Sequence, residues 1–96
     1  MNWNYENGRV YSVDERNEVI AETIYVPIGS NTVDIEHTFV NPDMTGQGIA
    51  GQMMEAVAER LRKEGLKAVA SCSYANAWLM KHRDSYPDVV SAAIER

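Results

Sequence analysis

This chain of 96 residues has few groups suited to metal or disulfide chemistry. Its one cysteine, Cys72, has no internal disulfide partner, and with His37 and His82 as the two histidines there is no zinc-ligand spacing, so no metal is expected. Positive charge is scarce as well: nine Lys and Arg stand against fourteen Asp and Glu, a formal charge of −5. A binder of phosphate backbones draws its affinity from clustered cations, so nucleic acid is not the expected partner. Apolar runs last only a few residues, and the N-terminal MNWNYENGR lacks the charged-then-apolar pattern of a leader. No membrane association is expected, and the reading is a soluble, cytoplasmic protein, a monomer or weak dimer. Repeats and low-complexity tracts are missing too. What remains is ordinary globular material, 45% hydrophobic and 24% charged, enough for a single domain over residues 1–96.

The first third of the chain carries a two-residue period. GRVYSVD and EVIAETIYV alternate apolar and polar residues around the turn DERN, which predicts a hairpin. PIGSN breaks the chain, and TVDIEHTFV, residues 32 to 40, restarts the alternation as a third strand. An unbroken period places Val33, Ile35, His37 and Phe39 on one face and Asp34, Glu36, Thr38 and Val40 on the other. After NPDMTG the period changes: Ile49, Met53, Val57 and Leu61, flanked by Ala50, Met54 and Ala58, mark an amphipathic helix that Gly65 ends. LKAVASC predicts a fourth strand, YANAWLMKHRD a second helix, and DVVSAAIER, after Pro87, a last turn or short helix. The predicted fold class is α/β, a mixed four-stranded sheet in the order β-β-β-α-β-α with two main helices.

Between the third strand and the first helix, Gly46-Gln47-Gly48-Ile49-Ala50-Gly51 spells the G-x-G-x-x-G of a dinucleotide-binding turn. That reading needs an acidic residue at the end of the next strand, for the ribose hydroxyls, and several more βα units. LKAVASC ends in Ser71 and Cys72, Ser73 follows, and no acid appears until Asp84. The dinucleotide reading therefore fails. Its physical content survives: bare backbone N–H groups at a helix N-terminus form an anion site suited to a diphosphate. Glycine in a first helical turn costs up to about 1 kcal/mol relative to alanine, which close approach of a ligand to the backbone would explain.

The stretch Thr45-Gly46-Gln47-Gly48-Ile49-Ala50, entering a helix after HTFV, resembles the acetyl-CoA pyrophosphate loop of the GNAT N-acetyltransferase superfamily, R/Q-x-x-G-x-G/A. Gly48 and Ala50 match, and Thr45 departs from the usual Arg or Gln. IEHTFV, SCSYANAW and YPDVV extend the resemblance over residues 33 to 90, toward very short GNAT-like enzymes that are little more than the acetyl-CoA-binding core. The resemblance implies acetyl-CoA as cosubstrate and an unidentified primary amine as acceptor, such as a protein or peptide lysine or a polyamine. It implies that strands three and four are parallel and splay apart to admit pantetheine. The main chain near Phe39 and Val40 would pair with that arm, and the N–H groups of Gln47, Gly48, Ile49 and Ala50 would hold the diphosphate.

Two ionisable residues stand near the implied gap. His37 reads either as a hydrogen-bonded histidine in an apolar row or as a group titrating near neutrality. Cys72 reads either as a small buried hydrophobe or as a thiol activated at a helix start. The resemblance in EHT and SCSY implies that His37 and Cys72 act together at the acetyl group. Asn76, with Tyr74 and Tyr86, is a candidate cofactor or substrate contact, whereas Trp78 and Leu79 read as core. The competing function is a CoA-binding module without catalysis, because no further strands follow Pro87 to complete an acceptor pocket.

Overall fold

Asn7-Gly8 is a hairpin turn, and the strand it creates is one the alternation does not reveal. The structure, a computed structural model, describes residues 1–94. β1 (Asn4–Glu6) pairs with β2 (Arg9–Val13), so the sheet has five strands rather than the expected four. β1 is exposed along its whole length and so carries no hydrophobic period. Its pairing is fixed by the two-residue loop, for which Asn-Gly is a strong local signal. Gly8 is required there twice over. Its φ is 78°, and a Cβ at this position would lie 2.7 Å from the carbonyl oxygen of Tyr25.

β3 (Val19–Pro27) pairs antiparallel with β2 and with β4 (Thr32–Val40), and the sheet runs β1-β2-β3-β4-β5. α1 (Ile49–Glu64) then crosses over to β5 (Lys67–Ala70), which lies parallel to β4, and α2 (Ser73–Lys81) follows. A helical crossover is what parallel neighbours demand. α1 ends where Gly65 adopts φ 72° and Leu66 N–H donates to Leu61 O at 2.9 Å.

Both helices lie on one face of the sheet, because one core joins them to it. Met54, Val57 and Leu61 of α1 and Ala75, Trp78 and Leu79 of α2 are buried with Val10, Tyr25, Val33, Ile35 and Ala68. Each large apolar side chain buried there contributes about 1.5–3 kcal/mol. The segment 88–94 forms turns rather than a helix and adds Val89, Val90 and Ile94 to this core. It is tied to β5 by Ala68 N–H to Val89 O at 2.7 Å and Ser91 N–H to Ala68 O at 3.0 Å. Residues 95 and 96 of the predicted terminal element lie outside the described residues.

One extra residue in β4 corrects the predicted facing. Ile24 pairs with His37 and Tyr25 with Ile35, so Glu36 has no partner on β3 and forms a β-bulge. Beyond it the alternation changes phase. Val33 and Ile35 face the helices; after the bulge Thr38 and Val40 share that side, while His37 and Phe39 turn to the opposite face and are exposed. His37 is therefore not in an apolar row.

Candidate active site

β5 is shorter than LKAVASC predicts, and the reason lies on β4. The Asp34 carboxylate accepts a hydrogen bond from Ser71 N–H at 2.6 Å and another from the Ser71 hydroxyl. These bonds draw the chain out of the ladder after Ala70. The last link between the two strands is Cys72 N–H to Ile35 O at 3.1 Å. β4 continues to Val40, five residues further, without β5 beside it.

The phase of the β3–β4 ladder shows which backbone groups line that open edge. Asn41 N–H donates to Ile20 O at 2.8 Å, toward β3. In the antiparallel alternation Phe39 then also turns its N–H and C=O to β3, and Thr38 and Val40 turn theirs to the gap. Of the two residues implied for pantetheine pairing, Val40 presents its main chain and Phe39 does not. Thr38, absent from the sequence-based candidates, presents the other free main chain on this edge.

At the far end of the open edge, Asn41 caps a single 3-10 turn, Pro42–Met44, its side chain accepting from Asp43 N–H at 2.9 Å. Thr45 closes the turn by donating its hydroxyl to Pro42 O at 3.0 Å. Gly46 and Gly48 then adopt φ of 81° and 72°, and α1 starts at Ile49. No side chain caps this start. Most helices carry Ser, Thr, Asp or Asn there to satisfy the first N–H groups. Here those of Gly48, Ile49, Ala50 and Gly51 are left for another acceptor, beside a cavity of about 250 Å³ lined by Val40, Met44, Gly48 and Ala50. Larger clefts of about 460 and 540 Å³ lie at Arg60 and at Lys67, away from the gap. Gln47 sits exposed between the two glycines.

Cys72 stands at the other wall of the gap, as the N-cap of α2. Its sulfur lies 3.3 Å from Thr38 Oγ1. Burial pushes the thiol pKa up. The Thr38 hydroxyl and the N–H groups of Ala75, Tyr74 and Thr38 outweigh it, and the net shift is downward from 9.0. The two α2 N–H groups point at the sulfur without closing a full capping hydrogen bond, so Thr38 is its side-chain partner. His37 turns elsewhere: its Nε2 is 3.8 Å from Glu22 Oε1, on the helix-free face, and Glu22 also takes Arg9 Nε at 2.6 Å. His37 and Cys72 thus approach the gap from different sides, each with its own partner.

The remaining candidates divide. Asn76 donates its amide to Met80 Sδ at 3.5 Å and its N–H to Cys72 O at 2.9 Å. Tyr86 donates to Glu59 at 3.2 Å, away from the gap, and Tyr74 is exposed beside Cys72. Trp78 and Leu79 are buried, as expected, and His82 stacks on Trp78 with ring centroids 4.0 Å apart.

Parallel strands thus part beside an uncapped, glycine-rich helix start, with the Cys72 thiol at the mouth of the gap between them. The chain belongs to the GCN5-related N-acetyltransferase family, whose model matches residues 9–89. It is similar to Protein NATD1 of Xenopus tropicalis, 32% identical over 62 residues that cover 65% of this chain and 57% of the frog protein. A GCN5-like protein of Staphylococcus aureus, solved in solution, is 36% identical with a TM-score of 0.75, covering 94% of this chain and 87% of that one. A GNAT family acetyltransferase of Elizabethkingia anophelis with acetyl-CoA bound has a TM-score of 0.60 at 21% identity, covering 91% and 68% of the two chains, a likeness of fold. None of the described helices is long and apolar enough to cross a membrane.

Proposed function

We propose that the protein transfers the acetyl group of acetyl-CoA to a primary amine, either a lysine of a protein or peptide or a polyamine. The observation that carries this reading is the uncapped start of α1 beside the free edge of β4. An anion site and a row of unpaired strand groups adjoin each other there, matching a cosubstrate with a diphosphate and an amide-bearing arm. The N–H groups of Gln47, Gly48, Ile49 and Ala50 hold the diphosphate. Phe39 is retained through its side chain at the rim and Val40 through its main chain, with Gln47 and Asn76 flanking the two ends of the cosubstrate.

Transfer to an amine needs a neutral nucleophile, a path for its proton, a donor for the developing oxyanion and an acid for the departing thiolate. Val40 N–H, on the open edge, supplies the donor. His37 accepts the amine proton, its ring being exposed on the face that no described helix covers. Cys72 either accepts the acetyl group as thiolate before the amine does, CoA thiolate departing, or, as the neutral thiol, lines the thioester and gives its proton to the departing sulfur. Of the two acceptors a lysine of a protein or peptide suits the open side better, because a small metabolite needs enclosure and a lysine on a larger partner does not.

Calorimetric titration with acetyl-CoA tests the binding half, with saturable heat expected. Incubation with acetyl-CoA and no amine, followed by mass spectrometry, separates the two roles of Cys72. A thiol-linked acetyl adduct that Cys72→Ala abolishes supports the covalent route. Its absence together with an active Cys72→Ala enzyme supports direct attack.

A further inference from the structure

Thr23 is fully buried in β3, and its hydroxyl has no hydrogen-bond partner among the described residues. A buried unpaired hydroxyl costs about 1–3 kcal/mol, so its retention calls for a physical reason. In the register Thr23 faces Thr38, and because Thr38 turns its backbone groups to the gap, the two form a non-hydrogen-bonded pair. Side chains approach each other most closely in such pairs, and Thr–Thr hydroxyl contacts are among those that stabilise them. Thr38 in turn lies 3.3 Å from Cys72 Sγ. A row Thr23–Thr38–Cys72 therefore runs from the core to the mouth of the gap.

We propose that Thr38 is the positioning residue of Cys72, its hydroxyl donating to the sulfur and favouring the thiolate, and that the buried Thr23 hydroxyl fixes the direction of that donation. A threonine hydroxyl has one proton and two lone pairs. When Cys72 is protonated, its S–H can donate to Thr38. When it is ionised, the proton on Thr38 must point at the sulfur, which leaves Thr38 oxygen free to accept. Thr23, opposite Thr38 in the ladder, would donate its proton to that oxygen once its hydroxyl turns toward it. With Thr23 donating to Thr38, the Thr38 proton stays directed at the sulfur, and donors in series polarise one another.

The charged groups on the adjoining elements are engaged elsewhere or face solvent. Asp34 holds Ser71, His37 faces Glu22, Lys67 of β5 donates to Asp88 O, Glu36 is exposed, and Lys81 ends α2 at the far side from Cys72. Neutral donors are what lower the thiol. The proposal rests on Cys72 being part of the acyl-transfer site, but its test needs neither acetyl-CoA nor an acceptor.

Cys72 is the single cysteine, so alkylation by iodoacetamide reports on it alone. Its rate is measured from pH 5.5 to 10 on the wild type, Thr38→Val, Thr38→Ser and Thr23→Val, each with its fold confirmed by circular dichroism. Thr38→Val is expected to move the profile to higher pH and to slow alkylation about tenfold on the acid side, with Thr38→Ser restoring it. Thr23→Val is expected to move it the same way by about two- to threefold. A Thr38→Val profile that overlays the wild type overturns the role of Thr38, and a Thr23→Val profile that does so overturns that of Thr23. Should valine at 38 disturb the strand, Thr38→Ala gives the same reading. Failure of acetyl transfer would leave these profiles unchanged, so the two readings fail separately.

Discussion

Replacing Gly48 by aspartate tests the anion site with a calculable penalty. A carboxylate at this position stands in the mouth of the cavity, against the N–H groups that a diphosphate would use. Like charges about 4 Å apart repel by about 1 kcal/mol in bulk water and about 4 kcal/mol at the dielectric of a protein surface. For a diphosphate at an exposed loop this amounts to roughly 2–4 kcal/mol, an affinity loss of about thirtyfold to several hundredfold. The new side chain meets no atom within 4 Å, so its structural cost is limited to the left-handed φ of 72°. That conformation costs about 1–2 kcal/mol, less for aspartate than for most residues, and lowers the melting temperature by roughly 4–8 °C per kcal/mol. Gly51→Ala is the matched control. It sits within the first turn of α1, has open space around it and does not line the cavity. Alanine there stabilises the helix by up to about 1 kcal/mol and leaves binding unchanged. Titration with acetyl-CoA and thermal unfolding are read on both variants. A folded Gly48→Asp protein that binds like the wild type would refute the reasoning.

Three further perturbations follow from the geometry. Gly8→Ala forces a methyl group to 2.7 Å from Tyr25 O at a φ of 78°; a loss of about 2–4 kcal/mol in chemical denaturation is expected, and an unchanged midpoint would mean that the turn relaxes freely. Thr45→Arg adds a cation at the loop and should tighten acetyl-CoA binding modestly while steepening its dependence on salt; no change in either would place residue 45 away from the phosphates. His37→Ala should lose about a hundredfold or more in amine-dependent turnover if the imidazole takes the amine proton; full activity would return His37 to a surface role.

Much of the fold is legible in the residues because most elements carry a clean period. The α1 stripe from Ile49 to Leu61 and the stop at Gly65 appear where the 3.6-residue pattern places them, as does the alternation of β3 from Ala21 to Val26, whereas Ile20, skipped in the pairing with β2, breaks it. β1 is not legible by period, since three exposed residues bury nothing, though Asn7-Gly8 marks its turn. The site is legible in its loop and in Cys72, but not in Thr38. An ideal strand puts Thr38 with Asp34 and Glu36, and only the bulge at Glu36 moves it to the side of Val33 and Ile35, toward Cys72. The same bulge takes His37 and Phe39 off the buried face. A single unpaired residue thus exchanges two pairs of side chains between the faces, and a two-residue period has no means of signalling it. The early end of β5 is similarly hidden, because it depends on Asp34 meeting Ser71, which are 37 positions apart in the chain.

The central claim, acetyl transfer to an amine, is tested most directly by incubating the protein with isotopically labelled acetyl-CoA and a panel of amines that includes lysine peptides and polyamines. Release of CoA thiol and the label in the amine product are followed together. The account predicts that at least one amine accelerates CoA release and becomes N-acetylated in equal amount, and that Gly48→Asp lowers both at subsaturating acetyl-CoA in proportion to its lost affinity. Saturable acetyl-CoA binding with no amine-dependent release across the panel would contradict it, and would make the protein a CoA-binding module.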